Sequence, residues 1–385
     1  MQKVFTFLRV IFGLLIKPVM FLLPVNNNIW VFGSWFGKRY SDNPKYLYEY
    51  VINNTGIKAY WIVKDRELES ELCEAGVNAF YYLSLKGIWV QCRASMAFVS
   101  HSISSDLLPI AISPKCKRVQ LWHGFPFKKI GYDDDKFSKL NRFGRRFSIL
   151  FSYLNNDYYT IAVSSGEKCK SRFSTAFNLP MDRVLSLGFV RNDIFHYEPL
   201  FDKKITRKII YMPTFRGEYN SYFSAISSDE LISLNIVLKE NDFQLDLRIH
   251  PANLIDEATL KALEFCENIK ISSSDDIYES ICDYDELVTD FSSVMFDFSI
   301  LNKPVIFDLR GVEEYLARDR GVYAGDSFHC GSLTFKTWAQ LFDILANDLA
   351  VNVDNNSLKC CVSANLEPGS CERTYMASVK LLDCI

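Results

Sequence analysis

No two cysteines stand in C-x-x-C spacing anywhere in the 385 residues, although the chain holds 11 of them. Scattered thiols of this kind exclude a structural zinc site, and an odd count in so long a chain argues against a disulfide scaffold. Free cysteines buried as small hydrophobes in a reducing cytosol account for them. Net charge is also missing: 43 basic against 46 acidic side chains leave −3. Such a balance exerts no global pull on a polyanion, so nucleic acid is not an expected partner and any phosphate must be bound locally. An uninterrupted membrane-spanning run is absent as well. Between Val4 and Leu23 the apolar stretch is broken by Arg9, Lys17 and Pro18, whereas a spanning helix wants about 20 apolar residues with few charges. Leu22-Leu23-Pro24-Val25-Asn26 offers no small-residue cleavage site, which argues against secretion. There is no internal repeat and no low-complexity tract.

Hydrophobic residues make up 49% and charged residues 23%, ordinary values for packed globular domains, and the length predicts two. Residues 1–25 are expected to form an anchor lying in a bilayer interface, with Phe5, Phe7, Phe12 and Leu15 buried and Lys3, Arg9 and Lys17 at headgroup level. The alternative is a terminal helix packed on the protein's own core. A second interfacial candidate is Lys136 to Phe151. There Lys139, Arg142 and Arg146 share one helical face and Phe143, Phe147 and Leu150 another, unless those Phe residues pack into the core.

Past residue 28, short apolar runs alternate with helical stretches. Ile29–Phe32, Lys58–Val63, Ala97–Ser100, Arg118–Trp122, Tyr159–Val163 and Val184–Leu187 read as strands. Asn43–Asn53, Glu67–Glu74, Leu83–Cys92 and Glu167–Phe177 read as helices between them. The pattern restarts with strands at Lys208–Met212, Gln244–Ile249, Asn268–Ile271, Glu286–Thr289 and Pro304–Phe307, and helices at Asp229–Glu240 and Ser293–Leu301. Alternation of this kind predicts the α/β class, with a mostly parallel sheet covered on both faces in each of two domains. The domains are expected at 26–200 and 201–385, with the boundary near 195–207.

Three motifs carry chemistry. Arg118-Val-Gln-Leu-Trp-His-Gly124 delivers His123 at the C-terminal end of a strand, where open α/β sheets face their ligand crevice. An imidazole there either moves a proton near neutral pH or serves as a hydrogen-bonded structural residue. Gly124 lets backbone approach a ligand closely. Leu247-Arg248-Ile249-His250-Pro251 delivers a second histidine in the second domain, and a cleft between the domains would bring both to one substrate. Asp290-Phe291-Ser292-Ser293 opens an apolar helix, so its amides and hydroxyls suit a phosphate, although a plain helix cap reads the same way. Arg191, Arg216 and Arg320 each stand beside a turn, where guanidinium groups bind phosphate oxygens when not merely solvated.

The set Trp122-His123-Gly124, Pro213-Thr214-Phe215-Arg216, His250-Pro251, Asp290-Phe291-Ser292-Ser293 with Phe296-Asp297, and Arg320-Gly321-Val322-Tyr323 resembles the CDP-glycerol glycerophosphotransferases, the family of teichoic acid primases and polymerases and of related capsule polymerases. The likeness runs from Trp30-Val-Phe-Gly-Ser34 through Tyr40-Ser-Asp-Asn-Pro-Lys-Tyr46 to Gly369-Ser-Cys-Glu-Arg373. It departs from the family at Phe125 and Phe127, where relatives tend to read His-Gly-Thr-Pro-Leu-Lys, a change expected to alter acceptor contacts.

The resemblance implies two Rossmann-like domains in a GT-B-like arrangement. It implies transfer of an alditol phosphate, glycerol phosphate first, from a CDP-alditol to a hydroxyl of a lipid-linked or polymeric acceptor, with release of CMP. By the same analogy His123 is the base, His250, Ser292 and Ser293 bind the donor pyrophosphate with Arg216 and Arg320 assisting, and Gly124, Asp290 and Arg191 are further candidates. No metal and no cofactor is implied. A lipid-linked acceptor implies a peripheral enzyme on the cytoplasmic face of the cell membrane. The rivals are a GT-B glycosyltransferase or sugar epimerase using a nucleotide sugar, separated by the leaving group, and a non-enzymatic membrane scaffold that has kept the fold.

Overall fold

Strands that are covered on both faces have no solvent side to mark with polar residues, and Ala94–Val99, Ile161–Ser164, Glu286–Thr289 and Val305–Asp308 are accordingly buried along their whole length. The structure is a computed structural model that describes residues 16–140, 142–196, 206–214, 226–248, 257–272, 276–313, 321–323, 333–352 and 355–383. The chain divides into two compact units, residues 1–126 with 130–196 and 363–385, and residues 127–129 with 197–362.

In the first unit, strands β1 (Asn26–Gly33), β2 (Lys58–Val63), β3 (Ala79–Tyr81), β4 (Ala94–Val99), β5 (Lys117–Gln120), β6 (Ile161–Ser164) and β7 (Val184–Ser186) form a sheet of order β3-β2-β1-β4-β5-β6-β7. Every pairing is parallel. The order reverses direction between β1 and β4, so that is where the loops after neighbouring strands part and leave a crevice. One core layer packs Trp30, Phe32, Tyr48, Trp61 and Phe98, with Phe32 and Phe98 stacked at 4.6 Å; the other packs Val31, Ile62, Ala97 and Ile103.

The second unit holds β8 (Arg207–Met212), β9 (Phe243–Leu247), β10 (Ile269–Ile271), β11 (Glu286–Thr289), β12 (Val305–Asp308) and β13 (Leu333–Phe335), in the parallel order β10-β9-β8-β11-β12-β13. Its switch point lies between β8 and β11. Helix Ser228–Glu240 begins with a reciprocal cap in which Ser227 Oγ accepts from the Glu230 amide and Glu230 reaches back to the Ser227 amide.

One expectation needs correction. The last residues were expected in the second domain, yet 363–385 belong to the first unit. The cause is a carboxylate: Asp193 accepts from the amides of Gly369, Ser370 and Cys371 at 3.2, 2.8 and 2.8 Å and so caps helix Ser370–Asp383, whose Tyr375 ring lies 5.7 Å from Trp30. Gly188, at φ +88°, must be glycine for this docking, since a Cβ there would stand 2.3 Å from Ser370 Oγ. The terminal anchor is described only in part: residues 16–22 are helical with Pro18 inside the helix, and residues 1–15 lie outside the described residues. Among the described residues, no helix is long and apolar enough to cross a membrane.

Candidate active site

Loops leaving β1, β4 and β5 meet at the switch point of the first unit. Four non-glycine residues there, Trp35, Phe36, Asp42 and Trp122, hold φ between +46° and +67°. Left-handed backbone on such residues is strained, and strain concentrates where geometry serves a function.

The loop after β5 is held by its carbonyls. Asn43 Nδ2 donates to Leu121 O at 3.2 Å and to Trp122 O at 3.0 Å, and Arg191 Nη1 donates to His123 O at 3.1 Å. Arg191 in turn pairs with Asp42 at 2.5 Å, with both side chains almost fully buried, and its amide donates to Asn43 Oδ1. Arg191 therefore sits inside the fold as support for the His123 loop, which corrects its expected place among the arginines that take up phosphate. Gly124 follows at φ +141°, a conformation that favours glycine.

His123 Nδ1 lies 3.0 Å from the Ser100 carbonyl. A carbonyl only accepts, so the proton belongs on Nδ1 and the lone pair of the neutral ring on Nε2. Trp122 packs its ring 4.1 Å from this imidazole, and His101, two residues past the end of β4, stacks on it at 4.3 Å and 16°. His101 is drawn down to about 3, first by burial and then by His123, with Asp42 opposing; it is uncharged at neutral pH. Beneath it, Asp106 accepts from the amides of Ser100, His101 and Phe36 at 3.0, 2.8 and 3.0 Å. Burial pushes the Asp106 carboxyl up to about 7 against those amides and Lys64.

At the second unit's switch point, Asp290 Oδ1 accepts from the Thr214 amide at 2.8 Å and from its hydroxyl at 2.5 Å, and Thr289 Oγ1 donates to Met212 O at 2.7 Å. Asp290 thus ties the loops after β8 and β11 together. Ser292 and Ser293 follow, half-buried, at the head of helix Val294–Phe298. Ser293 makes no side-chain capping hydrogen bond, so the plain cap does not explain its hydroxyl. Buried Asp297 accepts from Tyr278 OH at 2.5 Å. His250, Arg216 and Arg320 lie outside the described residues.

Phe125 and Phe127, where the sequence departs from the family and acceptor contacts were expected to change, are both 2% exposed. Phe125 lies under the Arg172 guanidinium at 4.9 Å, and Phe127, which belongs to the second unit, stacks on Phe291 at 6.2 Å. In the two Asp-x-Asp runs, Asp133 accepts from Thr175 Oγ1 and Asp285 from the Lys208 amide. Among the described residues no group of three or more His, Cys, Asp or Glu is placed to hold a metal ion.

His101, Asp106 and Trp35, which the sequence did not mark out, complete the first constellation together with Asp42 and Asn43, which the resemblance carried in its Tyr40–Tyr46 run without a role. His101 was findable, because it directly follows a strand read from the sequence.

The profile of the family described as CDP-glycerol:poly(glycerophosphate) glycerophosphotransferase matches residues 15–359. The teichoic acid glycerol-phosphate transferase of Staphylococcus aureus is 31% identical over 320 residues, covering 77% of this chain and 78% of that protein. The teichoic acid ribitol-phosphate primase of Bacillus spizizenii is 26% identical over 351 residues, 87% of this chain and 86% of that one. In fold alone, a solved structure of the wall teichoic acid polymerase TagF superposes with a TM-score of 0.72 at 20% identity, over 100% of this chain and 98% of that chain. The UDP-GlcNAc 2-epimerase of Neisseria meningitidis gives 0.51 at 13% identity, over 92% of this chain and 99% of that one. By the family profile and this degree of identity, the chain belongs to the CDP-glycerol:poly(glycerophosphate) glycerophosphotransferase family.

Proposed function

We propose that the protein transfers an alditol phosphate, glycerol phosphate first, from a CDP-alditol to a hydroxyl of a lipid-linked or polymeric acceptor, releasing CMP. The observation that carries this reading is the His123 geometry in a chain of this family: Nδ1–H anchored on the Ser100 carbonyl and the lone pair on Nε2. An attacking hydroxyl must lose its proton as its oxygen bonds the β-phosphorus, and Nε2 is the atom that takes it. The bond from that phosphorus to the bridging oxygen breaks and CMP leaves with the electron pair. In this assignment His123 is the base, and Ser292 and Ser293 bind the donor, with His250, Arg216 and Arg320 in the same role.

The reading also puts the protein peripherally on the cytoplasmic membrane face. Support comes from helix Arg142–Leu154, which has no buried residue and leaves Phe143 78% and Phe147 59% exposed beside Arg142, Arg145 and Arg146. That exposure counts against the alternative in which those rings fill the core.

The test is CMP release from CDP-glycerol and CDP-ribitol, each incubated separately with acceptor. His123→Gln should lower kcat by about 10²- to 10⁴-fold while donor affinity by calorimetry stays near the native value. Near-normal turnover of that variant removes His123 from the base role, and a nucleoside diphosphate product in place of CMP would establish the nucleotide-sugar rival.

A further inference from the structure

His101 has no part in the reaction as assigned, yet its imidazole lies on that of His123, ring centroids 4.3 Å apart and planes within 16°. One residue holds both rings. The Ser100 carbonyl accepts the hydrogen bond of His123 Nδ1–H at 3.0 Å, and the Ser100 hydroxyl lies 2.9 Å from His101 Nδ1 while it also accepts from the Trp35 amide. Ser100 itself is fully buried and its amide is fixed by Asp106. On its other edges His101 meets Trp35 at 4.9 Å and Phe36 at 4.6 Å, the two strained residues after β1, and its carbonyl receives Gln120 Nε2 at 2.7 Å. The ring is thus clamped from β1, β4 and β5 together.

We propose that His101 is a positioning residue for His123: its ring fixes the plane of the base, keeping Nδ1–H on the Ser100 carbonyl that sets the tautomer, and offers a π-face to the charge that the base acquires. The inference rests on His123 being that base. When Nε2 takes a proton, the imidazolium forms against a neutral aromatic face, which attracts a cation, whereas a protonated His101 at the same distance would repel it. Burial keeps His101 in the required state. The charged groups around the pair are already committed: Asp42 to Arg191 and Trp35, Asp106 to three amides, Lys64 to the carbonyls of Ser104 and Ser105, and Arg39 to the Trp35 ring.

The experiment combines nitrogen NMR of histidine-labelled protein with steady-state CMP release for the native chain, His101→Ala and His101→Phe. In the native chain His123 should show the Nδ1–H tautomer at neutral pH, and His101 should stay uncharged throughout the range in which His123 titrates. His101→Ala should lower kcat by about 10- to 100-fold, the scale of a misplaced catalytic group, with donor KM within about threefold and with His123 shifted to a mixture of tautomers. His101→Phe restores a flat uncharged ring and should recover both the tautomer and most of the rate. Turnover of His101→Ala within twofold of native overturns the inference, as does a lost rate with an unchanged His123 tautomer, an equal loss in the Ala and Phe variants, or a native His101 that titrates above His123. Should the Ala variant fail to fold, the native spectrum and the Phe variant still decide. An inactive His123→Gln beside a fully active His101→Ala sinks only this inference. An active His123→Gln sinks the base assignment, while the tautomer measurement still reports on the stack.

Discussion

Replacing Arg191 by methionine should be among the most damaging single changes in the first unit. Its guanidinium is 2.5 Å from Asp42 Oδ1 with both side chains at most 4% exposed, so removing it strands a buried carboxylate that keeps only the Asn43 amide at 2.8 Å and Trp35 Nε1 at 3.1 Å. Breaking a buried pair from one side costs about 3–5 kcal/mol. With an urea dependence of about 2 kcal/mol per molar, the midpoint should fall by roughly 2 M. Asp42→Asn keeps the side-chain shape, and asparagine tolerates the left-handed φ of +67° at that position, so this change isolates the charge. Combined with Arg191→Met it removes the stranded carboxylate, and the double variant should cost about 2–3 kcal/mol less than the sum of the singles. Tryptophan fluorescence suits the measurement because Trp30, Trp35, Trp61, Trp89 and Trp122 lie in the first unit and Trp338 alone in the second. A midpoint drop below about 0.5 M for Arg191→Met, or strict additivity in the double variant, refutes the account of the pair as a buried support of the His123 loop.

Stability should depend on pH through His101 with a definite sign. Its folded pKa lies below its unfolded one, so between pH 6.5 and 4.5 only the unfolded chain binds the proton and acid destabilises the fold by about 2 kcal/mol through this residue. His101→Phe lacks that penalty, so its stability relative to the native chain should rise on acidification; parallel curves would refute the assignment. Asp106, whose folded pKa is raised, acts in the opposite direction in both proteins and cancels in the comparison. On anionic liposomes, Phe143→Asp with Phe147→Asp should reduce flotation of the full chain, and high salt should weaken what binding the native chain shows; native protein that stays unbound excludes the interfacial helix.

Much of the architecture was legible because long parallel strands announce themselves as apolar runs: Lys58–Val63 and Glu286–Thr289 are read with their observed limits. Ala79–Tyr81 and Leu333–Phe335 were not: three residues at a sheet edge are too few to fix a periodicity, although the equally short edge strands Val184–Ser186 and Ile269–Ile271 were read. His123 was legible from its place after a strand and before a glycine. His101 obeys the same strand-end rule but stands in the run Ser100-His101-Ser102-Ile103-Ser104-Ser105, with no glycine or proline to mark a close approach, and the ring that gives it meaning arrives from the loop after the next strand. Arg191 misled because a guanidinium beside a turn looks the same whether it awaits a phosphate or a buried aspartate. Only the position of Asp42, 149 residues away in sequence, decides.

The cap that Asp193 places on helix Ser370–Asp383 makes residues 197–362 an insertion within the first unit, with 363–385 as the closing piece. A ribosome delivers that closing piece only after the second unit. The second unit, continuous in sequence apart from Phe127–Lys129, has nearly all its parts in hand while the first still waits with Trp30 and the Asp193 carboxylate uncovered. The expected order of folding on the ribosome is therefore second unit before first, the reverse of the customary N-to-C order. Arrest-peptide force measurements on nascent chains should register the second unit first. A message cut short before Gly369 would then yield an exposed sheet for quality control to clear, with no half-active enzyme left behind.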